Sequence, residues 1–228
     1  MQFALPRILS VNAGFVDAAA FLALKGLFTA HVTGNFVTLG AALVLGTSGT
    51  LAKLLALPVF CVVVLLARLA SYTLRARALP VMSTLLAAQL ALMILAAALA
   101  TWFGPFASAD GYAAVVTGMI LVAAMAIQNA AHRVHLPRAP PSTIMTATTT
   151  QIMMDLGDVI HGLAPEKARA TRARLTQMTV SVSAFAGGCA LGALLYAWLS
   201  VLCFWVPPAL VLGGLSMRRA LAAAEVQQ

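Results

Sequence analysis

Two long runs without any charged residue constrain this chain more than any other feature of its sequence. One run covers residues 78–109 and the other covers residues 175–217. A helix that crosses a membrane needs about 20 apolar residues, so the first run, of 32 residues, holds one span and the second, of 43 residues, holds two. Of the 228 residues, 62% are hydrophobic and 9% are charged, against about 45–50% and 25% in soluble domains. The sequence therefore predicts an all-helical integral membrane protein.

Further apolar runs, bounded by charged residues, proline and glycine, bring the number of predicted spans to six. Two other segments, residues 28–45 and 142–161, are too polar to be assigned as spans from hydropathy. Arg7 precedes the first run, but no small-residue cleavage site follows it, so this span is expected to be retained. The six predicted spans are Ile8–Leu24, Leu54–Leu74, Leu79–Phe103, Gly111–Ala131, Leu175–Tyr196 and Leu199–Met217.

The distribution of lysine and arginine indicates how the two polar segments run, because cytoplasmic loops are enriched in these residues. With six spans, eleven of the fourteen lie on the cytoplasmic side, two, Lys25 and Lys53, lie on the other, and Arg68 lies within a span. If both segments cross fully, the eight spans give eight inside and five outside. Six spans with both termini cytoplasmic are therefore predicted. Residues 28–45 and 142–161 are expected to be re-entrant segments or helices broken within the membrane.

A weak internal similarity relates the two halves of the chain, residues 1–104 and residues 105–228. Asp17–Ala19 corresponds to Asn129–Ala131 at an offset of 112, and His31–Asn35 corresponds to Ile144–Thr148 at an offset of 113. Each half would then contain one span, one polar segment and two further spans. Because three spans reverse the direction of the chain, the second half is predicted to be inverted relative to the first, as in many secondary transporters.

Asp17 is the first candidate for a functional residue, because it lies within the first predicted span. A carboxylate at the centre of a membrane helix costs about 2.5–3.5 kcal/mol on insertion scales, so it is normally kept where it has a partner or lines a wet cavity. Its role is either to carry a proton or to make a structural contact between helices, which stabilises by about 0.6 kcal/mol. The candidate partners are Lys25, His31, Gln128, Asn129 and His132.

Thr33, Gly34 and Asn35 mark a place where a helix can begin inside the membrane. Thr33 or Asn35 can cap a helix N-terminus, and Gly34 tolerates a positive φ. The free N–H groups at the positive end of a helix attract anions, so a half-helix that begins here would form part of a substrate site. The alternative is an ordinary crossing helix in which Gly34 lets a neighbouring helix approach.

The polar segment of the second half, residues 142–161, combines hydroxyl-bearing side chains such as Thr146 and Thr148 with apolar ones. Hydroxyl groups at depth suit a pore or a substrate cavity, and an amphipathic helix on the membrane surface is the alternative. Gln128 and His132 lie one turn apart at the end of the fourth span. Since His132 and its neighbours are more typical of a basic rim than of a metal site, neither a metal nor a cofactor is predicted.

These motifs together resemble the YoaK family of bacterial multi-pass membrane proteins. The resemblance covers nearly the whole chain and rests on Gly14–Ala18, Phe28–Asn35, Gln128–Ala130 and Thr146–Thr148. It implies an integral protein of the bacterial cytoplasmic membrane with about six spans. It implies little about activity, because the family is one of unknown function. Ala147 stands where Gly34 would predict a glycine, so the two polar segments are not expected to break identically.

Charge and motifs disfavour several classes of function. The net charge is +8, but the positive residues lie in short loops, so nucleic acid is not an expected partner. The sequence contains no P-loop, no metalloprotease motif and no nucleophile elbow. The three cysteines are interpreted as packing residues. Gly188–Gly192 forms a GxxxG motif, which is typical of a helix contact within the fold or between protomers of a homo-oligomer.

The predicted function is that of a small secondary transporter, not an enzyme, whose partners are membrane lipid and an unidentified small molecule or ion. Asp17 would couple transport to protons or cations at a site between the two halves. A channel-like or structural membrane protein is the first alternative, and a membrane enzyme using Asp17 and His31 is the second. The candidate site residues are Asp17, His31, Thr33, Gly34, Asn35, Gln128, Asn129, Thr146 and Thr148.

Overall fold

The computed structural model describes residues 4–137, 139–143 and 145–226, with side chains up to residue 217, and this part of the chain is all-helical. Arg138 and Ile144, which belong to the predicted motifs, and the side chains of Arg218 and Arg219 lie outside the described part. A short 3-10 helix, Ser200–Trp205, separates the last two α-helices. The α-helices are α1 (Ala4–Ala23), α2 (Gly34–Leu45), α3 (Thr50–Ala76), α4 (Val81–Phe103), α5 (Tyr112–His135), α6 (Met145–His161), α7 (Pro165–Leu199) and α8 (Val206–Val226).

Five segments of the described chain are long and apolar enough to cross a membrane. Four of them are α1, α3, α4 and α5, and the fifth runs from Pro165 to Met217 over 53 residues. A helix rises about 1.5 Å per residue, so 53 residues are more than twice as long as one crossing of the roughly 30 Å hydrocarbon core requires. The φ of 51° at Ser200 interrupts this fifth segment between α7 and α8. The all-helical chain with long apolar segments agrees with the predicted fold class.

The two polar segments form short helices, α2 and α6. The 12 residues of α2 give a length of about 18 Å, too short to cross a layer of roughly 30 Å. The 17 residues of α6 give about 25 Å. Helix α2 begins at Gly34, so residues 28–33, which the sequence grouped with it, belong to the preceding loop.

Helix α7 begins ten residues earlier than predicted, at Pro165 and not at Leu175. Proline is favoured in the first turn of a helix, where its missing N–H costs nothing, and Glu166 places a negative charge at the positive end of the helix dipole. Arg169, Arg172 and Arg174 therefore lie on the helix. The sequence interpretation had placed them in a loop because it followed hydropathy alone.

Close packing of α1 on α7 forms one side of the core. Ser10 hydrogen-bonds Ser181, and a Cβ built on Gly188 would clash with the backbone of Val11. A Cβ built on Gly192 would likewise clash with the backbone of Phe15. In these contacts the residue numbers increase in the same direction along both helices, so α1 and α7 run parallel. The GxxxG motif thus makes its contact within the fold, against α1.

The other helix directions follow from contacts made by α5. The carbonyl of Leu9 accepts a hydrogen bond from Gln128, whereas Leu24 and Leu27 pack against Gly118, so α1 and α5 run antiparallel. Asp110, just before α5, accepts hydrogen bonds from the backbone at the start of α3. Helices α3 and α5 pack against each other along their length and run parallel.

Candidate functional site

Residues 24–49 connect α1 to α3, and the first and last residues of this segment lie next to each other. We call this segment the first hairpin. A Cβ built on Gly49 would lie 3.5 Å from the carbonyl oxygen of Leu24 and 3.4 Å from Nζ of Lys53. A Cβ built on Gly26 would lie 3.6 Å from the same Nζ. Oδ2 of Asp110 accepts a hydrogen bond of 2.7 Å from the N–H of Gly49. The two ends of the first hairpin are therefore adjacent, while its middle returns along α1.

The tip of the first hairpin is held by the carboxylate of Asp17. Its Oδ1 accepts hydrogen bonds from the N–H of Thr29 (2.7 Å), the hydroxyl of Thr29 (3.1 Å) and the N–H of Ala30 (2.7 Å). Its Oδ2 lies 3.1 Å from the N–H of His31 and 2.8 Å from Nδ1 of the same residue. Asp17 is only 3% exposed, and these five contacts compensate for its burial. The predicted partner His31 is thus confirmed by geometry, and four of the five contacts come from groups that the sequence interpretation did not name.

Asn35 and Gly34 shape the same tip, in a different way from the one predicted. Oδ1 of Asn35 accepts a hydrogen bond of 2.9 Å from the N–H of Phe28, and its Nδ2 donates one of 2.8 Å to the carbonyl of Phe28. Neither Thr33 nor another side chain makes the cap hydrogen bond at the start of α2. Gly34 does not have a positive φ; a Cβ there would lie 2.9 Å from the ring of Phe28. Close packing of that ring is the physical reason for the glycine.

The segment between α5 and α7, residues 136–164, forms the second hairpin, and its tip also returns along the helix that precedes it. The hydroxyl of Thr143 donates a hydrogen bond of 2.6 Å to Oδ1 of Asn129. Nε2 of Gln128 donates to the hydroxyl of Ser142 at 3.2 Å and to the carbonyl of Leu9 at 2.9 Å. Oε1 of Gln128 accepts hydrogen bonds from Asn12 and Gln89, both of 2.8 Å. The buried Gln128 side chain therefore joins α1, α4, α5 and the second tip.

An ion pair fixes α6 against the first part of α7. Nε of Arg174 donates a hydrogen bond of 2.7 Å to Oδ2 of Asp155, and Nη2 donates one of 2.6 Å to Oδ1. The side chain of Asp155 is fully buried, whereas that of Arg174 is 55% exposed. These charged hydrogen bonds, helped by Gln151, hold the pKa of the Asp155 carboxyl below its ordinary value even though burial acts in the opposite direction.

A cavity of about 620 Å³ lies between the tips of the two hairpins. This volume is within the usual range for small-molecule sites, about 300–1,000 Å³. The first hairpin contributes residues 30–33, and the second contributes Ala139, Pro141, Ser142, Thr143 and the start of α6. Helix α3 supplies an apolar wall of Leu57, Phe60 and Val64, and the end of α5 supplies Asn129, Ala130, His132 and Arg133. Leu136, the first residue of the second hairpin, also lines the cavity.

The cavity brings together four of the predicted site residues, His31, Thr33, Asn129 and Thr146. Asp17 lies directly behind His31, which is 34% exposed. The other predicted residues do not line the cavity: Asn35 and Gln128 hold the two tips, Gly34 packs on Phe28 and Thr148 is buried in α6.

The candidate site residues predicted from the sequence leave out several cavity residues, among them Thr143, which belongs to the hydroxyl-bearing segment 142–161, and Arg133, which belongs to the predicted basic rim. Thr143 follows Asn129 by 14 residues, as His31 follows Asp17, and that shared spacing is the signal that could have found it. His132 was considered as a partner of Asp17. It lines the cavity instead, 5% exposed, and neither ring nitrogen makes a hydrogen bond in the described chain, although the carbonyls of Ala139 and Pro140 lie near the ring.

The donor set suits an organic ligand better than a metal ion. Among the described residues, no three His, Cys, Asp or Glu side chains lie close enough to hold a metal. The cavity presents two imidazoles, one guanidinium, hydroxyl groups and an amide, on largely apolar walls. Such a surface can bind a small molecule by hydrogen bonds, charge and apolar contact.

Comparison with known proteins gives one match. No curated protein and no solved structure matches the chain. A family model described as "Protein of unknown function (DUF1275)" matches residues 5–217. This agrees with the expected resemblance to an uncharacterised family, although the match does not carry the name YoaK. Because the model covers nearly the whole sequence, the chain belongs to the DUF1275 family.

Proposed function

We propose that the protein is a small secondary transporter of the bacterial cytoplasmic membrane, and that its substrate site is the cavity between the two hairpin tips. The observation that carries this proposal is that both tips, residues 30–33 on one side and residues 141–143 and 145–146 on the other, line one cavity of about 620 Å³. Interrupted segments that meet inside the membrane are the usual way in which transporters present backbone and polar groups to a substrate.

The proposed topology has six spans, α1, α3, α4, α5, α7 and α8, with both termini in the cytoplasm. The first hairpin then enters from the outer side and the second from the cytoplasmic side. The parallel pair α1 and α7 and the parallel pair α3 and α5 fit this arrangement, as does the antiparallel pair α1 and α5. In this topology Arg133, at the end of α5, lies at the cytoplasmic side of the cavity.

The two halves would be inverted repeats, with α1 to α4 equivalent to α5 to α8. The contact between α1 and α7 then corresponds to the contact between α5 and α3. Asp17 corresponds to Asn129, and the role of His31 falls to Thr143, one position before the residue with which the sequence similarity aligns it. Both pairs join a side chain within the first helix of a half to a residue 14 positions later at the tip. This correspondence supports the division into residues 1–104 and residues 105–228.

Proton coupling is assigned to the Asp17 and His31 pair, with His31 as the group that meets the cavity. Each contact of the Asp17 carboxylate is made by a donor, or by a histidine nitrogen that can donate. A proton bound to Oδ1 would face three donors and find no acceptor. Nε2 of His31 is the remaining position where the pair can exchange a proton with the cavity. Asp17 is therefore a positioning residue that orients the imidazole.

One observation also favours a second candidate, an intramembrane enzyme. The 2.8 Å contact between Asp17 and His31 has the geometry of a histidine base oriented by a carboxylate. An enzyme would alter its substrate chemically, whereas a transporter would release it unchanged on the other side. Chemical analysis of the solute after uptake separates the two.

The experiment is solute uptake by the full chain reconstituted in vesicles that contain a pH-sensitive dye. A panel of organic acids, amines, amino acids and sugars is added outside. We expect saturable uptake of at least one class together with acidification of the lumen, and a loss of at least tenfold in the coupled proton flux in His31→Gln. His161→Gln, at the exposed end of α6, is the matched control and should behave as wild type. Non-saturating flux would indicate a channel, and no flux for any solute would overturn the proposal.

A further inference from the structure

The two hairpin tips differ in one chemically decisive position. The first tip already holds an anion, because the carboxylate of Asp17 receives the N–H groups of Thr29, Ala30 and His31. At the equivalent position the second tip has the neutral amide of Asn129, whose oxygen accepts a hydrogen bond from one group of the described residues, the hydroxyl of Thr143. The first turn of α6 contains no acidic residue, so its positive end is not neutralised from within the helix.

The ionisable side chains that line the cavity are all of the basic types among the described residues. His31, His132 and Arg133 line it, and no carboxylate does so among the described residues. The two buried acids of the described chain are already engaged: Asp17, behind His31, holds the first tip, and Asp155, further along α6, pairs with Arg174. Arg133 makes no salt bridge with any described residue and lies one helical turn from Asn129, on the same face of α5. The imidazole of His132 is 95% buried at this cavity, and neither nitrogen is hydrogen-bonded to a described residue.

One wall of the cavity, formed by α3, is apolar. Leu57, Phe60 and Val64 lie about one turn apart along that helix, and Val32 and Leu136 also line the cavity. An inorganic anion would leave this wall without a partner, while a fully apolar molecule would leave Arg133 and His132 without one. Both surfaces are matched by a ligand with an anionic head and a short hydrocarbon or aromatic body.

We propose that the cavity binds a small organic anion, with its anionic head at the start of α6 beside Asn129 and Arg133 and its apolar body against Leu57, Phe60 and Val64. The ligand's carboxylate would supply beside Asn129, at the second tip, the negative charge that Asp17 supplies at the first. This inference deepens the proposed function, because it rests on the same cavity and names the class of substrate.

The test compares three probes that share one apolar body: benzoate, benzylamine and benzyl alcohol. Binding of each radiolabelled probe to the purified full chain in micelles is measured by equilibrium dialysis against empty micelles. We expect saturable benzoate binding at least tenfold tighter than that of the amine or the alcohol. Equal or tighter binding of benzylamine or benzyl alcohol, or no saturable binding of benzoate, would overturn the proposal.

Two variants locate the head group. Asn129→Asp places a carboxylate where Asp17 stands in the first tip, and the hydroxyl of Thr143 can still donate to it, so the tip retains this hydrogen bond while benzoate affinity falls at least tenfold. Arg133→Gln should weaken benzoate binding by a similar factor. Arg75→Gln, at the exposed end of α3, should leave benzoate binding unchanged. Thermal melting confirms that each variant is folded. Unchanged benzoate affinity in folded Asn129→Asp contradicts the assignment.

The failure of this inference is distinguishable from failure of the transporter proposal. Saturable uptake of a neutral or cationic solute into vesicles would support the transporter proposal and overturn the proposal that the ligand is an anion. Saturable binding of benzoate with no transport of any solute would support the proposed anion site and overturn the transporter proposal.

Discussion

Oδ2 of Asp17 lies 2.8 Å from Nδ1 of His31, across a gap of 14 residues in the sequence. The same gap separates Asn129 from Thr143, whose side chains are 2.6 Å apart. In both pairs a polar residue inside a helix holds the tip of the hairpin that follows it. The first pair contains a carboxylate, that of Asp17, whereas the second pair contains the neutral amide of Asn129. The proposed function and the proposed ligand both depend on this relationship.

Asp17→Ala should release the tip of the first hairpin. Three backbone N–H groups and two side-chain groups lose their acceptor, and hydrogen bonds to a charged group contribute about 1.5–3 kcal/mol each. We expect the amides of Thr29, Ala30 and His31 to exchange hydrogen at least tenfold faster, as measured by hydrogen exchange and mass spectrometry. Asp158→Ala, an exposed carboxylate on α6, is the control. Unchanged exchange at these three amides would show that Asp17 does not hold the tip.

Gly188→Ala should destabilise the protein, whereas Gly187→Ala should not. A Cβ on Gly188 would clash with the backbone of Val11, while a Cβ on Gly187 meets nothing within 4 Å. Overpacking against backbone costs about 1–3 kcal/mol, and alanine is favoured over glycine in a helix. Thermal melting in detergent should show a lower Tm for Gly188→Ala and an equal or higher Tm for Gly187→Ala. The parallel α1–α7 contact would be wrong if the two variants melted alike.

Gln128→Met should be more damaging than Gln89→Met. Methionine at 128 leaves the side-chain amides of Asn12 and Gln89 without the oxygen that accepts their hydrogen bonds, and a buried polar group left unpaired costs about 1–3 kcal/mol. The carbonyl of Leu9 loses the hydrogen bond from position 128 but keeps the one within α1. Gln89→Met removes one of these hydrogen bonds only. We expect a clearly lower Tm for the variant at position 128. The reverse order would mean that Gln128 is not the centre of the network.

The Asp155–Arg174 pair should make stability depend on pH in the acid range. The pKa of Asp155 is lowered in the folded protein, so its contribution is complete above the ordinary carboxyl pKa and is lost as pH falls through the lowered value. Wild type should therefore lose Tm on acidification from pH 5 downward more steeply than Asp155→Asn, which lacks this titration. Parallel melting curves for the two proteins over this range would contradict the assignment.

The sequence predicted Asp17 for a physical reason, since an acid inside an apolar run must have a compensating partner. It could not predict which partner, because three of the five donors are backbone N–H groups that any residue carries. The apolar wall of Leu57, Phe60 and Val64 was equally invisible, since nothing distinguishes these side chains from lipid-facing ones until the helices are packed. Hydropathy located the long helices but misplaced the start of α7, where charged residues continue the helix.

The measurement that tests the central claim most directly is the sidedness of the two ends of the first hairpin. Single cysteines are placed at Lys25 and Thr47 in a chain whose three native cysteines are replaced by alanine, and intact cells and inverted vesicles are treated with a membrane-impermeant maleimide. A cysteine at Arg75 reports the opposite side. The re-entrant arrangement predicts that Lys25→Cys and Thr47→Cys are both labelled from outside and Arg75→Cys only from the cytoplasm. Labelling of positions 25 and 47 from opposite sides would show that this segment crosses the membrane, and the shared site between two hairpin tips would then be wrong.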